Sequence, residues 1–343
     1  SFFDEAEQTL AAHFTRMTDE PASCAVMLST LSDSVLRSHP TFAAARFMLE
    51  FADSTVPYVA LRHTLSIMSA GAKKRLAGDA GSSPVLLLAH QVQVMIGERM
   101  NGNIPAALQM AQSLESNVEV KAPGGLPSKR GSALIGDNAQ PAYLSEIGLT
   151  AFIAGDYGLA KRVWSRMEAL TQPQQVGNPS LLSKTLATTT SMHGAWRQAA
   201  LNGLSICAAN DGDFAAAAVY LDQADTLREE MGDTAPLLAW VNGEVTRAHL
   251  AYQDMNEEDL HLAVDRVEPW NDRIEQWSML LQAETETTRY LRGPGWALSQ
   301  LDTSVARTRE ERRNLGAWSA YLALYRTLLN TILGNFTASG QIL

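Results

Sequence analysis

Apolar positions in this chain recur three and four residues apart, the helical period, and the pattern is interrupted at intervals by a short polar break built on glycine. "AANDGDFAAAAVYLDQA", residues 208–224, is one such break: an apolar run, Asn-Asp-Gly-Asp, then alanines with larger apolar side chains among them. The form returns in "NGNIPAALQMAQSL" from Asn101, "AGDYGLAKRVWSRM" from Ala154, "RGPGWALSQLDTSV" from Arg292 and "LGNFTASGQIL" from Leu333. A second marker keeps step with it. Trp196, Trp240, Trp277 and Trp318 each stand 16 residues before Gly212, Asn256, Gly293 and Gly334, which spaces the units by 44, 37 and 41 residues. At the second of these breaks Asn256 is predicted to replace glycine as a left-handed helix stop.

Each unit predicts a helix of about 16 residues from the tryptophan to the break, a short turn, and a second helix of similar length, an αα-hairpin. In "GDFAAAAVYLDQADTLREEMG" Asp213 can cap the incoming helix, Ala215 to Ala218 allow close approach of a partner, and Val219, Leu221 and Leu227 supply apolar surface before a stop at Gly232. A lone hairpin cannot hide its apolar stripe, so the hairpins must stack, each on the next, as an all-α solenoid with units of about 40 residues. In such a stack Trp196, Trp240, Trp277 and Trp318 read as packing knobs between helices.

The first 121 residues are less regular but still helical: "SHPTFAAARFMLEFADS" and "PYVALRHTLSIMSAGAKKRL" carry Pro40 and Pro57 near their starts, where proline is tolerated. A Pro/Gly-rich stretch, placed at 122–141 and containing "GGLPSKRGS", lacks periodicity and reads as a long loop. From 142 to 343 the regular hairpins follow within one continuous array, delayed once by "TQPQQVGNPSLLS" from Thr171. The last hairpin breaks off within its second helix, "TASGQIL", which predicts uncovered apolar surface there and a parent chain that continues.

Composition narrows the function. Hydrophobic residues at 46% and charged residues at 19% exclude bulk disorder, and the shortage of β-branched runs favours helices. A net charge of −10 spread along the chain argues against binding nucleic acid or an anionic membrane, and no apolar run reaches the ~18 residues that span a bilayer. The acidic start "SFFDEAEQTL" lacks a signal-peptide pattern, and two distant cysteines, Cys24 and Cys207, suit a reducing compartment, so a cytoplasmic location is expected.

Chemistry-bearing motifs are missing. "GGLPSKRGS" does not end in the Gly-Lys-Ser/Thr of a phosphate-binding loop, the seven histidines are never spaced three or four apart, and no Gly-x-Ser-x-Gly occurs. The acids of "NEED", Asn256 to Asp259, suit a helix start, and "RTREERRN" from Arg307 suits an exposed, ion-paired helix. The expectation is a non-enzymatic protein without metal or cofactor.

The Gly-Asp-Tyr/Phe breaks followed by alanine-rich helices resemble the tetratricopeptide repeat, with units longer than that family's usual 34 residues. "RSHPTFAAARFML" and the run from "GWALSQLDTSV" to "TLLNTILGNF" are similar to the repeat domain of MalT-like, LuxR-type bacterial transcription activators. That resemblance implies a right-handed superhelix acting as the sensor between an ATPase module and a helix-turn-helix. This chain carries neither flanking module, so DNA would be reached only through a helix-turn-helix outside it. The implied role is binding a small-molecule inducer or a regulatory protein on the concave face, with Arg197, Asn202, Asn242, Arg247, Tyr290 and Tyr321 as candidate contacts from the first helices. A free-standing adaptor that bridges other proteins is the alternative.

Overall fold

The recurring break is a two-residue turn whose chemistry is local. Its first residue takes a left-handed backbone, with φ of 82° at Gly102, 81° at Gly155, 80° at Gly212 and 78° at Gly334. Two amides then bond back to the ending helix, as in Gly212 N–H to Ala209 O at 3.1 Å and Asp213 N–H to Ala208 O at 2.9 Å. The second residue opens the next helix: Asp156 and Asp213 accept from the Leu159 and Ala216 amides, each at 3.0 Å, the latter where the sequence predicts a cap. One assignment changes. The left-handed residue of the fourth break is Met255 (φ 51°), whereas Asn256 (φ −89°) is the cap, accepting from Asp259 N–H at 3.3 Å. Asn256 thus holds the position that Asp156 and Asp213 hold in the two breaks before it.

The computed structural model describes residues 2–14, 17, 20–78, 83–117, 140–172, 183–231, 240–307 and 316–342, for the backbone alone at 116–117, 183–193, 231, 304–307, 316–322 and 341–342. Three helices come first: α1 (Phe2–Ala12), α2 (Pro21–Ser29) and α3 (Asp33–Ser38). Hairpins follow: α4 (Pro40–Ala52) with α5 (Tyr58–Gly78), α6 (Pro84–Met100) with α7 (Ile104–Asn117), and α8 (Gln140–Ile153) with α9 (Tyr157–Thr171). Next come α10 (Ser183–Asn210) with α11 (Phe214–Met231), and α12 (Val241–Gln253) with α13 (Glu257–Val267). The array ends with α14 (Trp277–Arg292) and α15 (Pro294–Arg307), then α16 (Gly316–Ile332) and α17 (Phe336–Ile342). No strand occurs among the described residues.

The chain is all-helical, and its packing follows chain order. The first helices α4, α6, α8, α10, α12, α14 and α16 lie side by side, and each second helix touches its own partner and the first helix of the next hairpin. This order is compatible with an α solenoid. Small residues set the approach of neighbours: a Cβ at Gly243 on α12 would come within 2.7 Å of Asn202 Oδ1 on α10. Helix α11 buries Ala217, Leu221 and Ala224 at i, i+4 and i+7. Val219, predicted to face inward, lies between those positions and is 54% exposed.

Elsewhere the boundaries shift. Gln140 and Pro141, predicted to end the long loop, form the first turn of α8, where proline needs no amide partner. Helix α10 runs for 28 residues rather than about 16. "GGLPSKRGS", the Gly232 stop and "RTREERRN" beyond Arg307 lie outside the described residues. On α16, Leu324, Leu328 and Ile332 form an exposed apolar stripe at spacing four, flanking buried Tyr325 and Leu329. Cys207 is buried and free, and burial pushes its thiol up to about 12; Cys24 is free and half-buried. Among the described residues no helix is long and apolar enough to cross a membrane.

One packing feature goes beyond nearest neighbours. The connection from α13 to α14, a 3-10 turn at Glu268–Trp270 followed by residues 271–276, reaches back to the C-terminal end of α4. Trp270 Nε1 donates to Ala52 O at 2.8 Å. The buried Arg273 guanidinium donates to the carbonyls of Glu50 (3.1 Å), Asp53 (2.7 Å) and Val56 (2.8 Å), and its Nε to Asp272 Oδ1 at 2.8 Å. The last carbonyls of a helix have no partner within it, so one buried cation serves Glu50 and Asp53 at the end of α4 together with Val56 of the following connection. The array is thereby fastened to itself across more than half the chain.

Candidate ligand-binding cavity

The side-by-side first helices border a partly open cavity. Each helix contributes one face at helical spacing: Ala44, Phe47 and Phe51 from α4; Ala89, Val92 and Ile96 from α6; Ala142, Ser145 and Leu149 from α8. Trp196 and Ala199 of α10 and Val241 and Asn242 of α12 continue the wall, Phe14 stands beside α1, and Ile274, Glu275 and Gln276 of the fastening segment close it. Buried Tyr143 lines the wall and donates its hydroxyl to Ala11 O at 3.1 Å, tying α1 to α8; burial pushes its phenol up.

Trp164 reaches this cavity from α9, a second helix. It can do so because α8 and α10 leave room: Cβ atoms built at Gly148 and Gly203 would fall 2.5 Å and 2.3 Å from its indole. The ring is almost fully buried between those two glycines, with Phe152 at a centroid distance of 6.0 Å.

The polar part of the wall centres on Arg99 of α6, which is 5% exposed. Nε donates to Glu275 Oε2 at 2.9 Å, Nη2 to Glu146 Oε2 at 2.9 Å, and Nη1 to Thr150 Oγ1 at 2.7 Å and Glu146 O at 3.3 Å. Burial would lower the guanidinium pKa, but Glu275 and Glu146 outweigh it and hold the group firmly protonated. Nearby, Gln93 is 4% exposed, and its Oε1 accepts no hydrogen bond while its Nε2 lies 3.4 Å from Thr41 Oγ1. Asn242 accepts from Gln276 Nε2 at 2.9 Å. The lining contains no histidine, cysteine or lysine, and no group of metal-ligating side chains occurs among the described residues.

Of the six contacts proposed from sequence, Asn242 lines this cavity. Arg197 pairs with Glu168 at 3.2 Å, and Arg247 with Asp225 at 2.6 Å, both off the cavity wall. Asn202 is buried against Gly243, and Tyr290 is exposed beneath the Arg289 guanidinium, 4.3 Å from the ring centroid. The side chain of Tyr321 lies outside the described residues, as does that of Trp318. Trp196 and Trp277 are buried, and half-buried Trp240 meets Trp270 edge-on at 5.4 Å. Arg99, Gln93, Glu146 and Glu275 were not anticipated. A signal for two of them existed, since Gln93 and Glu146 each stand nine residues before their turn glycines, Gly102 and Gly155.

No family model, curated protein or solved structure matches the chain.

Proposed function

We propose that this chain is a non-enzymatic sensor domain, a right-handed tetratricopeptide-like solenoid that takes a small-molecule effector into its interior. The observation that carries the reading is the cavity itself: a partly open recess walled largely by apolar and aromatic side chains, with a few converging polar groups. Its position between the side-by-side first helices favours a small molecule over a protein partner there. The repeat pattern supports a role as the signal-integration domain of a MalT-like, LuxR-type cytoplasmic regulator, with DNA engaged by a separate helix-turn-helix module.

Transmission follows from the lining. An effector that touches α4, α6 and α8 together with Ile274 to Gln276 stabilises the fastened arrangement over any opened one, and such unequal affinity is what shifts an equilibrium. The purified chain, heated in the presence of a metabolite library, tests the idea. A true effector at a hundred times its Kd stabilises by about 2.7 kcal/mol. A library-wide absence of shifts, with no small molecule released on denaturing the protein purified from its native host, contradicts the reading.

The stripe Leu324, Leu328 and Ile332 favours a second reading, an adaptor that docks a partner helix along α16. Replacing Leu328 with glutamate would abolish partner capture under that reading and leave effector binding intact under the first.

A further inference from the structure

The cavity has a sign. Among the described residues its lining carries three charged side chains, one guanidinium against two carboxylates, an excess negative charge of one. Arg99 is already committed: four of its five N–H groups serve Glu275, Thr150 and Glu146, and its charge is paired with two carboxylates. The uncommitted polar capacity is an acceptor: Gln93 lies in the wall, 96% buried by its 4% exposure, and its Oε1 receives no hydrogen bond. An orphaned acceptor in a low-dielectric wall is costly until a donor reaches it. Around these groups stand aromatic faces, Trp164, Trp196 and Tyr143 among them, whose π-clouds attract cations.

Resting on the reading of this cavity as an effector site, we infer that its ligand is an organic cation with an apolar body, such as a protonated or quaternary amine on an aromatic or alkyl frame. The carboxylates of Glu146 and Glu275 balance its charge, Gln93 Oε1 takes an N–H where the ligand has one, and the indoles cover its flanks. An anionic effector of the same shape would enter against the net charge and meet an Arg99 already paired with two carboxylates.

Tetraphenylphosphonium and tetraphenylborate test this directly, being nearly the same shape with opposite charge. Titration of the full chain, followed by tryptophan fluorescence, is done at about 0.3 M NaCl to screen the distant surface charges. N-phenyl-1-naphthylamine serves as the neutral probe of the cavity. The expected result is that the phosphonium binds at least tenfold more tightly than the borate and displaces the neutral probe. Glu146→Gln should weaken the phosphonium about tenfold, about 1.4 kcal/mol, and leave the neutral probe unchanged. A melting curve of the unliganded variant verifies its fold, with Glu275→Gln as the second variant.

If the borate binds as well as the phosphonium while the neutral probe enters, the assignment of a cation falls and the cavity reading survives. Should the phosphonium be preferred equally in wild type and both variants, the preference does not come from these carboxylates and the inference is overturned. Failure of all three probes to enter removes the cavity reading and this inference with it.

Discussion

Replacing Arg273 with methionine keeps much of the side chain's length and deletes its charge at the point where the array is fastened. The side chain is 0% exposed and that of its partner Asp272 only 5%. Removing one member of such a buried pair costs about 3–5 kcal/mol. The carbonyls of Glu50 and Val56 lose the guanidinium as donor in the same step, which places Arg273→Met at the upper end of that range, while Asp53 O keeps the Val56 amide at 3.1 Å. Arg273→Lys keeps the charge but cannot fork between acceptors on opposite sides of a planar group, so roughly half the loss is expected. In Arg273→Met/Asp272→Asn both charges of the pair are removed, and about 1–3 kcal/mol should return relative to the sum of the single changes. Urea unfolding followed by circular dichroism, with midpoints compared at equal slope, measures all four proteins. A loss under about 1 kcal/mol for Arg273→Met, or strict additivity in the double variant, would refute the view that this guanidinium holds the ends of the array together.

Gly203→Ala sets a helix-propensity gain of about 1 kcal/mol against overpacking of about 1–3 kcal/mol, because the new Cβ would lie 2.3 Å from the Trp164 ring. A net loss is expected that shrinks in a Trp164→Phe background, read from a double-mutant cycle; net stabilisation would show that the ring moves freely. Met255→Gly relieves a left-handed backbone and should raise stability by about 1 kcal/mol in thermal melts, with no change contradicting the assignment of that residue as the helix stop. Burial alone would raise the Glu7 carboxyl, but His90, the Thr41 amide (3.0 Å) and His39 (3.1 Å) outweigh it and hold the pKa below its ordinary 4.5. A depressed acid stabilises above its unfolded value and loses that contribution as pH falls through the folded one. The stability difference between wild type and Glu7→Gln should therefore be full near pH 6 and shrink below about 4.5; growth toward acid would contradict the sign.

The hairpin repeat was legible because its punctuation is local: a residue that tolerates positive φ, then Asn or Asp to cap, specifies a turn without help from the rest of the chain. Asn256 was misassigned for the same reason, since asparagine suits both positions and only the backbone separates them. Val219 went wrong because a run of alanines carries no phase, leaving the inward face of α11 to be chosen by tertiary contact. The cavity was hidden for a different reason. Candidate contacts were chosen near Trp196, Trp240, Trp277 and Trp318, but much of the wall comes from α4, α6 and α8, where that marker is absent. Its last side comes from Ile274 to Gln276, and no local pattern announces that this segment meets α4 more than 200 positions earlier in the chain.

That meeting also sets an order of events in folding. Hairpins and their neighbours form from contacts close in sequence, which is fast, whereas Arg273 must find carbonyls 217 to 223 residues away. Its loop entropy is largely prepaid only when the intervening hairpins are already stacked, so the guanidinium docks late. Refolding would then pass through an open, fully helical array with its interior wet, and the slowest phase would report the sealing of the chamber rather than the making of any helix.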